Sequence, residues 1–183
     1  MENEQKILAI VGMPGAGKSS AAEFFKNQGI PILRFGDQTD IGLKEHGLER
    51  TEKNERWYRE KIRQELGMAA MAIKIEPRVR DALTSHHIVV LDGLYSWEEY
   101  IYLIGKFPQL KLLCIYASPE IRYERLRTRE VRPLASDEAR IRDFAELENL
   151  NKGGPIAIAD RLVLNEGDKD SLENSLKIFL AEL

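Results

Sequence analysis

The chain has 183 residues, 27 Lys+Arg against 30 Asp+Glu, a net charge of −3, and 43% hydrophobic and 31% charged residues. That length suits one domain with a sizeable core, and the composition is that of a soluble globular protein. The charge balance excludes a globally basic nucleic-acid binder, and apolar runs no longer than a strand exclude a membrane-spanning helix.

The charged opening Met1 to Lys6 runs straight into an apolar stretch, so no signal peptide is expected. The single cysteine, Cys114, lies in Leu112-Leu113-Cys114-Ile115-Tyr116, where it reads as a buried core thiol. With no partner for a disulfide, a reducing cytoplasm is the expected compartment.

Ile7–Val11 is a continuous apolar run, the pattern of a strand buried on both faces. Gly12-Met13-Pro14-Gly15-Ala16-Gly17-Lys18-Ser19 follows at once and fits Gly-x4-Gly-Lys-Ser/Thr without a mismatch. Residues 20–28 then read as a helix closed by Gly29. Glycines let such a loop curl so that backbone N–H groups wrap a phosphate chain, and the helix start adds its unpaired donors. Gly12, Gly15, Ala16, Gly17 and Ser20 are therefore candidate nucleotide-binding residues. Lys18 is expected on the β- and γ-phosphates, with the Ser19 hydroxyl on magnesium.

The second strand is expected over Pro31–Phe35, followed by Gly36-Asp37 and a charged helical region reaching about Leu83. Arg50, Arg56, Arg59 and Arg63 alternate there with Glu52, Glu55, Glu60 and Glu65, as on a solvated face with i,i+4 ion pairs. The same stretch also reads as a flap for an acceptor, with Trp57 and Tyr58 as lining or as core. The third strand, Ile88–Leu91, ends in Asp92-Gly93. An acid at the end of a buried strand, downstream of a phosphate loop, suits a magnesium carboxylate, which gives Asp92 that role beside Ser19. His86 and His87 sit at the far end of this strand, and no Cys/His cluster surrounds them, so no zinc site is expected.

The fourth strand, Leu110–Tyr116, leads to Ser118-Pro119-Glu120, a helix start with a serine cap. Arg122, Arg125, Arg127, Arg129, Arg132, Arg140 and Arg142 follow, with Ser136 expected to cap the next helix. Arg125 and Arg129 share a helical face and suit a phosphoryl group, because guanidinium is planar, always charged and bidentate. Arg122 and Arg127 read as partners of Glu120, Glu124 and Glu130 on the same helix. No aromatic residues interleave as stacking platforms, so no nucleic-acid partner is expected. After Gly153-Gly154-Pro155 come a short Ala-rich helix, a last strand over Arg161–Leu164 and a closing amphipathic helix. Strands alternating with helices predict an α/β parallel sheet covered on both faces, with ligands at the carboxyl ends of the strands.

The phosphate loop, Gly36-Asp37, Asp92-Gly93 and the Arg-x3-Arg helix together resemble the nucleoside monophosphate kinase superfamily of P-loop kinases, which includes adenylate, cytidylate and dephospho-CoA kinases. Val11 to Gly15, Asp92-Gly93, Ile158 to Asp160 and Asn165 to Gly167 look most like an archaeal branch related to dephospho-CoA and nucleotide kinases. The resemblance implies a single P-loop domain over 1–183 with a five-stranded sheet in the order 2-3-1-4-5. It implies an acceptor-side helical insertion at about 38–84 and a lid at about 129–136. ATP and Mg2+ are the implied cofactors and a small-molecule phosphoryl acceptor the implied partner. Arg125 would pack near the ATP base and Arg129 on phosphate. Asn165-Glu166-Gly167 would border the adenine, and Gly36, Asp37 and Gly93 the acceptor. Asp40 departs from the pattern, since adenylate kinases carry there an arginine that grips the acceptor's phosphate. A carboxylate would repel that group, which opens the choice between a nucleoside monophosphate, dephospho-CoA and another hydroxyl-bearing acceptor. The alternative reading is a nucleotide-dependent regulatory ATPase that binds a protein through 38–83.

Overall fold

The computed structural model describes residues 5–183, so the first four residues of the charged opening lie outside it. Five strands, β1 (Lys6–Val11), β2 (Ile32–Arg34), β3 (Ile88–Asp92), β4 (Leu110–Tyr116) and β5 (Arg161–Leu164), pair in parallel in the order β2-β3-β1-β4-β5. This is the sheet order expected from the resemblance.

The packing of β1 explains why Ile7–Val11 is uniformly apolar. Ile7, Ala9 and Val11 face one core, with Leu43, Ile62, Ile75 and Leu103. Leu8 and Ile10 face the other, with Phe24, Phe25, Leu176 and Phe179. Alternate residues point to opposite faces, and helices cover both, so no position from Ile7 to Val11 can be polar, and only the half-buried first residue, Lys6, is charged. Cys114 is buried in the first of these cores, as expected.

One face is covered by α1 (Lys18–Asn27) and α9 (Lys169–Glu182), with Leu172, Leu176 and Phe179 of α9 buried. The other is covered by helices that include α3 (Glu52–Leu66), α4 (Ala70–Leu83) and α5 (Trp97–Lys106). The charged region after β2 is three helices, because α2 (Gly36–Glu45) begins directly at Gly36. Gly36 and Asp37 therefore form the first turn of a helix. Gly42 lets α2 lie against α3, since a Cβ there would stand 1.9 Å from the Tyr58 ring. Tyr58 is core, 2% exposed, and Trp57 is 40% exposed.

After β4 come α6 (Pro119–Thr128), α7 (Ser136–Leu150) and the short α8 (Gly153–Ala157). Two capping expectations are corrected. Ser118 occupies the cap position of α6 but its side chain makes no capping bond; its N–H instead donates to Glu166 Oε1 at 2.8 Å. Ser136 is the first residue of α7, and the cap is Ala135, whose N–H donates to Glu138 Oε2 at 2.8 Å. That bond is the glutamate half of a capping box; the serine half is missing, because an alanine at the cap has no side-chain oxygen to accept from the first-turn N–H groups.

Candidate active site

The loop 12–17 connects β1 to α1, at the carboxyl end of the sheet. Its curvature is held from outside. Gly15, with φ +79°, approaches the Arg122 backbone so closely that a Cβ would stand 2.6 Å from that residue's carbonyl oxygen. Gly17, with φ +103°, would place a Cβ 2.1 Å from Asn165 Nδ2. Asn165, just past β5 and 6% exposed, uses that amide to donate to the Ala16 carbonyl at 2.7 Å. The side chain of Asn165 thus braces the loop, while its own carbonyl accepts from Arg125 Nη1 at 2.9 Å. Arg125 also donates to Gly167 O at 3.4 Å, so the arginine and the turn after β5 form one surface.

Lys18 curls back over the loop and donates to Gly12 O at 2.8 Å and Met13 O at 3.0 Å. Burial, reinforced by the nearby Lys152 ammonium, lowers its pKa to about 7. Two carbonyls are weak partners for an ammonium, so a phosphate oxygen in this place would restore the charge.

A cavity of about 360 Å³ opens beside the loop, lined among others by Lys18, Ser19, Asp92, Arg125, Arg129 and Arg142. Asp92 ends β3 opposite Ile10 of β1, which brings it beside the loop. Burial raises the pKa of its carboxyl, against the pull of Arg34, whose Nε lies 3.6 Å away, and of Lys18. Ser19 and Asp92 line the same cavity, a hydroxyl and a carboxylate of the kind Mg2+ takes together with waters and phosphate oxygens. Among the described residues no cluster of three His, Cys, Asp or Glu could hold a metal by itself, and Mg2+ shared with phosphates needs none. Ser20 follows on the first turn of α1, and Gly93 turns the chain beneath Tyr95, with φ +104°.

A second cleft, of about 480 Å³, lies between α3 and α7. Arg59, Arg63, Arg132 and Arg142 line it among Glu55, Glu99 and others. Tyr95 and Arg142 line both spaces, so the cleft and the loop cavity meet at these two side chains. Gly36 borders the cleft, whereas Asp37 is paired with Arg78 at 3.3 Å and is not among the lining residues. Asp40 also stands outside it, paired with Arg50 at 3.2 Å. The repulsion expected from Asp40 is thus directed elsewhere, and Arg59 and Arg63 of α3 supply cationic groups in the cleft. Arg59 is tied to Glu55 at 3.5 Å, and Arg63 has no ion-pair partner among the described residues.

One arginine expectation is corrected. Arg122 does not pair along its own helix. It is 4% exposed and forms two bonds to Asp143 of α7, with a third to the Pro14 carbonyl of the loop. Arg127 pairs with Glu124 as expected. Arg129 is corrected too: it is the extended residue after α6, not part of a helical face shared with Arg125, and it donates to Arg132 O at 2.6 Å, beside the loop cavity. Sequence reasoning missed Arg142 and Tyr95 at the junction, and Lys152 and Glu99. For Glu99 a signal existed, since Ser96-x-x-Glu99 is a capping box. Its Oε2 takes the N–H of Tyr95 and Ser96, and burial pushes its pKa up to about 7.

A family model described as an AAA domain matches residues 8–143. A UPF0200 protein of Pyrococcus abyssi is 33% identical over 181 residues, covering 97% of this chain and 96% of its own length. Among solved structures, TT1252 from Thermus thermophilus superimposes with a TM-score of 0.68 at 21% identity, covering 98% of both chains. A shikimate kinase from Bacteroides thetaiotaomicron does so with 0.62 at 15% identity, covering 97% of this chain and 99% of its own. The sheet, the phosphate loop and these likenesses place the fold among the P-loop kinases.

Proposed function

The chain belongs to the UPF0200 family, and we propose that it is an ATP-dependent kinase that transfers the γ-phosphate to a small, polar, hydroxyl-bearing acceptor of the nucleotide-like kind. The observation that carries this reading is the meeting of two spaces at Arg142 and Tyr95, one beside the phosphate loop and one between α3 and α7. A kinase needs a donor site and an acceptor site that open on each other, because transfer runs in line between them.

In this reading the loop N–H groups and Lys18 hold the β- and γ-phosphates. Mg2+, held by Ser19 and Asp92, would neutralise charge between those phosphates. Arg129 and Arg142 face the transferring group from the lid side, and Arg125 with Asn165 borders the base. The segment from Arg129 to Ser136 is the lid, and α2 to α4 carry the acceptor. Little bond-making falls to the protein, so positioning and preorganised charge supply the rate. A regulatory ATPase has no need of the second cleft lined with arginines, which favours the kinase.

The test is ADP release from ATP–Mg2+ with a panel of nucleoside monophosphates and dephospho-CoA, and with Lys18→Ala as the blank. One acceptor raising the rate well above the acceptor-free value supports the reading. Slow hydrolysis that no acceptor accelerates favours the regulatory ATPase.

A further inference from the structure

Lys152 is a buried cation that the transfer chemistry described above does not use. It lies in the turn between α7 and α8 and is 2% exposed. Its ammonium bonds to Glu146 Oε2 and stands 4.8 Å from the centre of the Tyr95 ring. The other oxygen of Glu146 accepts from Arg142 Nε at 2.9 Å. The three charges therefore form a line, Lys152 to Glu146 to Arg142, that starts in the interior and ends where the two cavities meet. The turn that carries Lys152 is anchored separately. Asn151 adopts a left-handed conformation at φ 49° and donates through Nδ2 to Glu98 Oε1 of α5 at 2.9 Å.

A buried ammonium is expensive unless it is paired. An ordinary exposed Arg142–Glu146 pair one turn apart would contribute little and would let the guanidinium wander. Here one carboxylate oxygen is occupied by a fixed, buried cation, so the other is presented to Arg142 in one direction. Burial would raise the Glu146 carboxyl, but Lys152 and Arg142 outweigh it and hold it ionised. Tyr95, under the ammonium, is the second side chain of the junction, so the same lysine steadies both.

We propose that Lys152 and Glu146 are positioning residues that hold Arg142 over the junction of the two cavities, where it grips the terminal phosphoryl group of a nucleoside triphosphate. The inference rests on the kinase reading of the loop cavity, yet it is separable from it. ADP lacks the group that Arg142 grips, and a β,γ-imido analogue of ATP carries it. Arg142 should therefore matter for one nucleotide and not for the other.

The experiment measures the dissociation constants of ADP–Mg2+ and of the imido analogue by calorimetry on the full chain. The variants are Arg142→Met, Glu146→Gln, Lys152→Met and the double Lys152→Met/Glu146→Met. Each single change should weaken the analogue about tenfold or more, the loss of a charge-assisted contact, while ADP stays within about twofold. Lys152→Met should also lower the melting temperature, because it leaves Glu146 buried beside an apolar side chain. The double change removes the carboxylate that Lys152→Met leaves half-paired, with Arg142 alone, and should recover the melting temperature without recovering the analogue's affinity. A purely structural pair would show the opposite, with both nucleotides weakened together in Lys152→Met and both restored in the double variant. That result, or an unchanged ratio of the two constants in all variants, overturns the inference and leaves the kinase reading intact. A wild-type chain that binds neither nucleotide overturns the kinase reading and this inference with it.

Discussion

Arg122 of α6 and Asp143 of α7 form a buried two-bond pair, with Nη2 to Oδ2 at 2.7 Å and Nη1 to Oδ1 at 3.0 Å. The same guanidinium reaches the Pro14 carbonyl at 3.0 Å, so one side chain ties both arginine-bearing helices to the phosphate loop. Side-chain exposures of 5% and 10% put the pair out of water. Arg122→Met leaves Asp143 buried with no cation and only the Tyr123 hydroxyl, at 3.0 Å, as a partner, and should destabilise the protein by about 3–5 kcal/mol, a fall in melting temperature of roughly 6–20 °C. Calorimetric melting of the single variant and of Arg122→Met/Asp143→Leu checks this. The double variant should recover most of the loss, and equal melting of single variant and wild type would refute the assignment.

The Lys18 ammonium carries a pH prediction. Its pKa is near 7 without ligand, and phosphate oxygens must raise it. Above pH 7 the free protein holds Lys18 largely neutral and the complex holds it charged, so binding takes up a proton. Affinity for ATP–Mg2+ should therefore fall as pH rises above 7, with uptake approaching about one proton near pH 8.5 and none near pH 6. Calorimetry in buffers of different ionisation enthalpy reads this directly. For folding the sign is opposite. The unfolded chain, with an ordinary lysine, binds more protons above pH 7, so this group's contribution to stability rises with pH through that window.

Gly17 leaves no room for a side chain. In Gly17→Ala the new Cβ meets Asn165 Nδ2, and φ +103° disfavours any L side chain. Nucleotide binding should be lost while the sheet stays folded. Asn165→Ala alone removes the brace on Ala16 O and should cost about 1–3 kcal/mol of stability. The double variant relieves the clash but not the backbone strain, so its nucleotide affinity, measured by fluorescence titration, should remain well below that of Asn165→Ala.

Arg63 is the test of the cleft. It lines the space between α3 and α7 and stands apart from the loop cavity. With an anionic acceptor, Arg63→Met should raise the acceptor's KM about tenfold or more and leave the KM for ATP unchanged. A rise in the KM for ATP alone would move Arg63 to the donor side.

The central strands were legible because both faces of the sheet are buried there, which leaves Ile7–Val11 of β1 and Leu112–Ile115 of β4 as unbroken apolar runs, whereas β5 at the sheet edge keeps only Val163 buried. The phosphate loop was legible because its chemistry is written in eight consecutive residues. Arg122 and Arg127 show where such reading ends. Both sit on one helix among glutamates, and only the packing of α7 decides that one is buried against Asp143 and the other exposed to water. Lys152 gave no signal at all, because a lone lysine after a helix reads as surface until Glu146 and Tyr95 are seen around it. Asp40 was legible as a departure, but its direction was not; Arg50 draws it away from the cleft.

The central claim is phosphoryl transfer from the loop cavity into the cleft. The most direct measurement follows γ-labelled phosphate from ATP–Mg2+ into product, with each candidate acceptor, in wild type and Lys18→Ala. Label should enter one acceptor at a rate far above hydrolysis, and that transfer should fall by about a hundredfold or more in the variant. Label released only as inorganic phosphate, whatever acceptor is present, would contradict it.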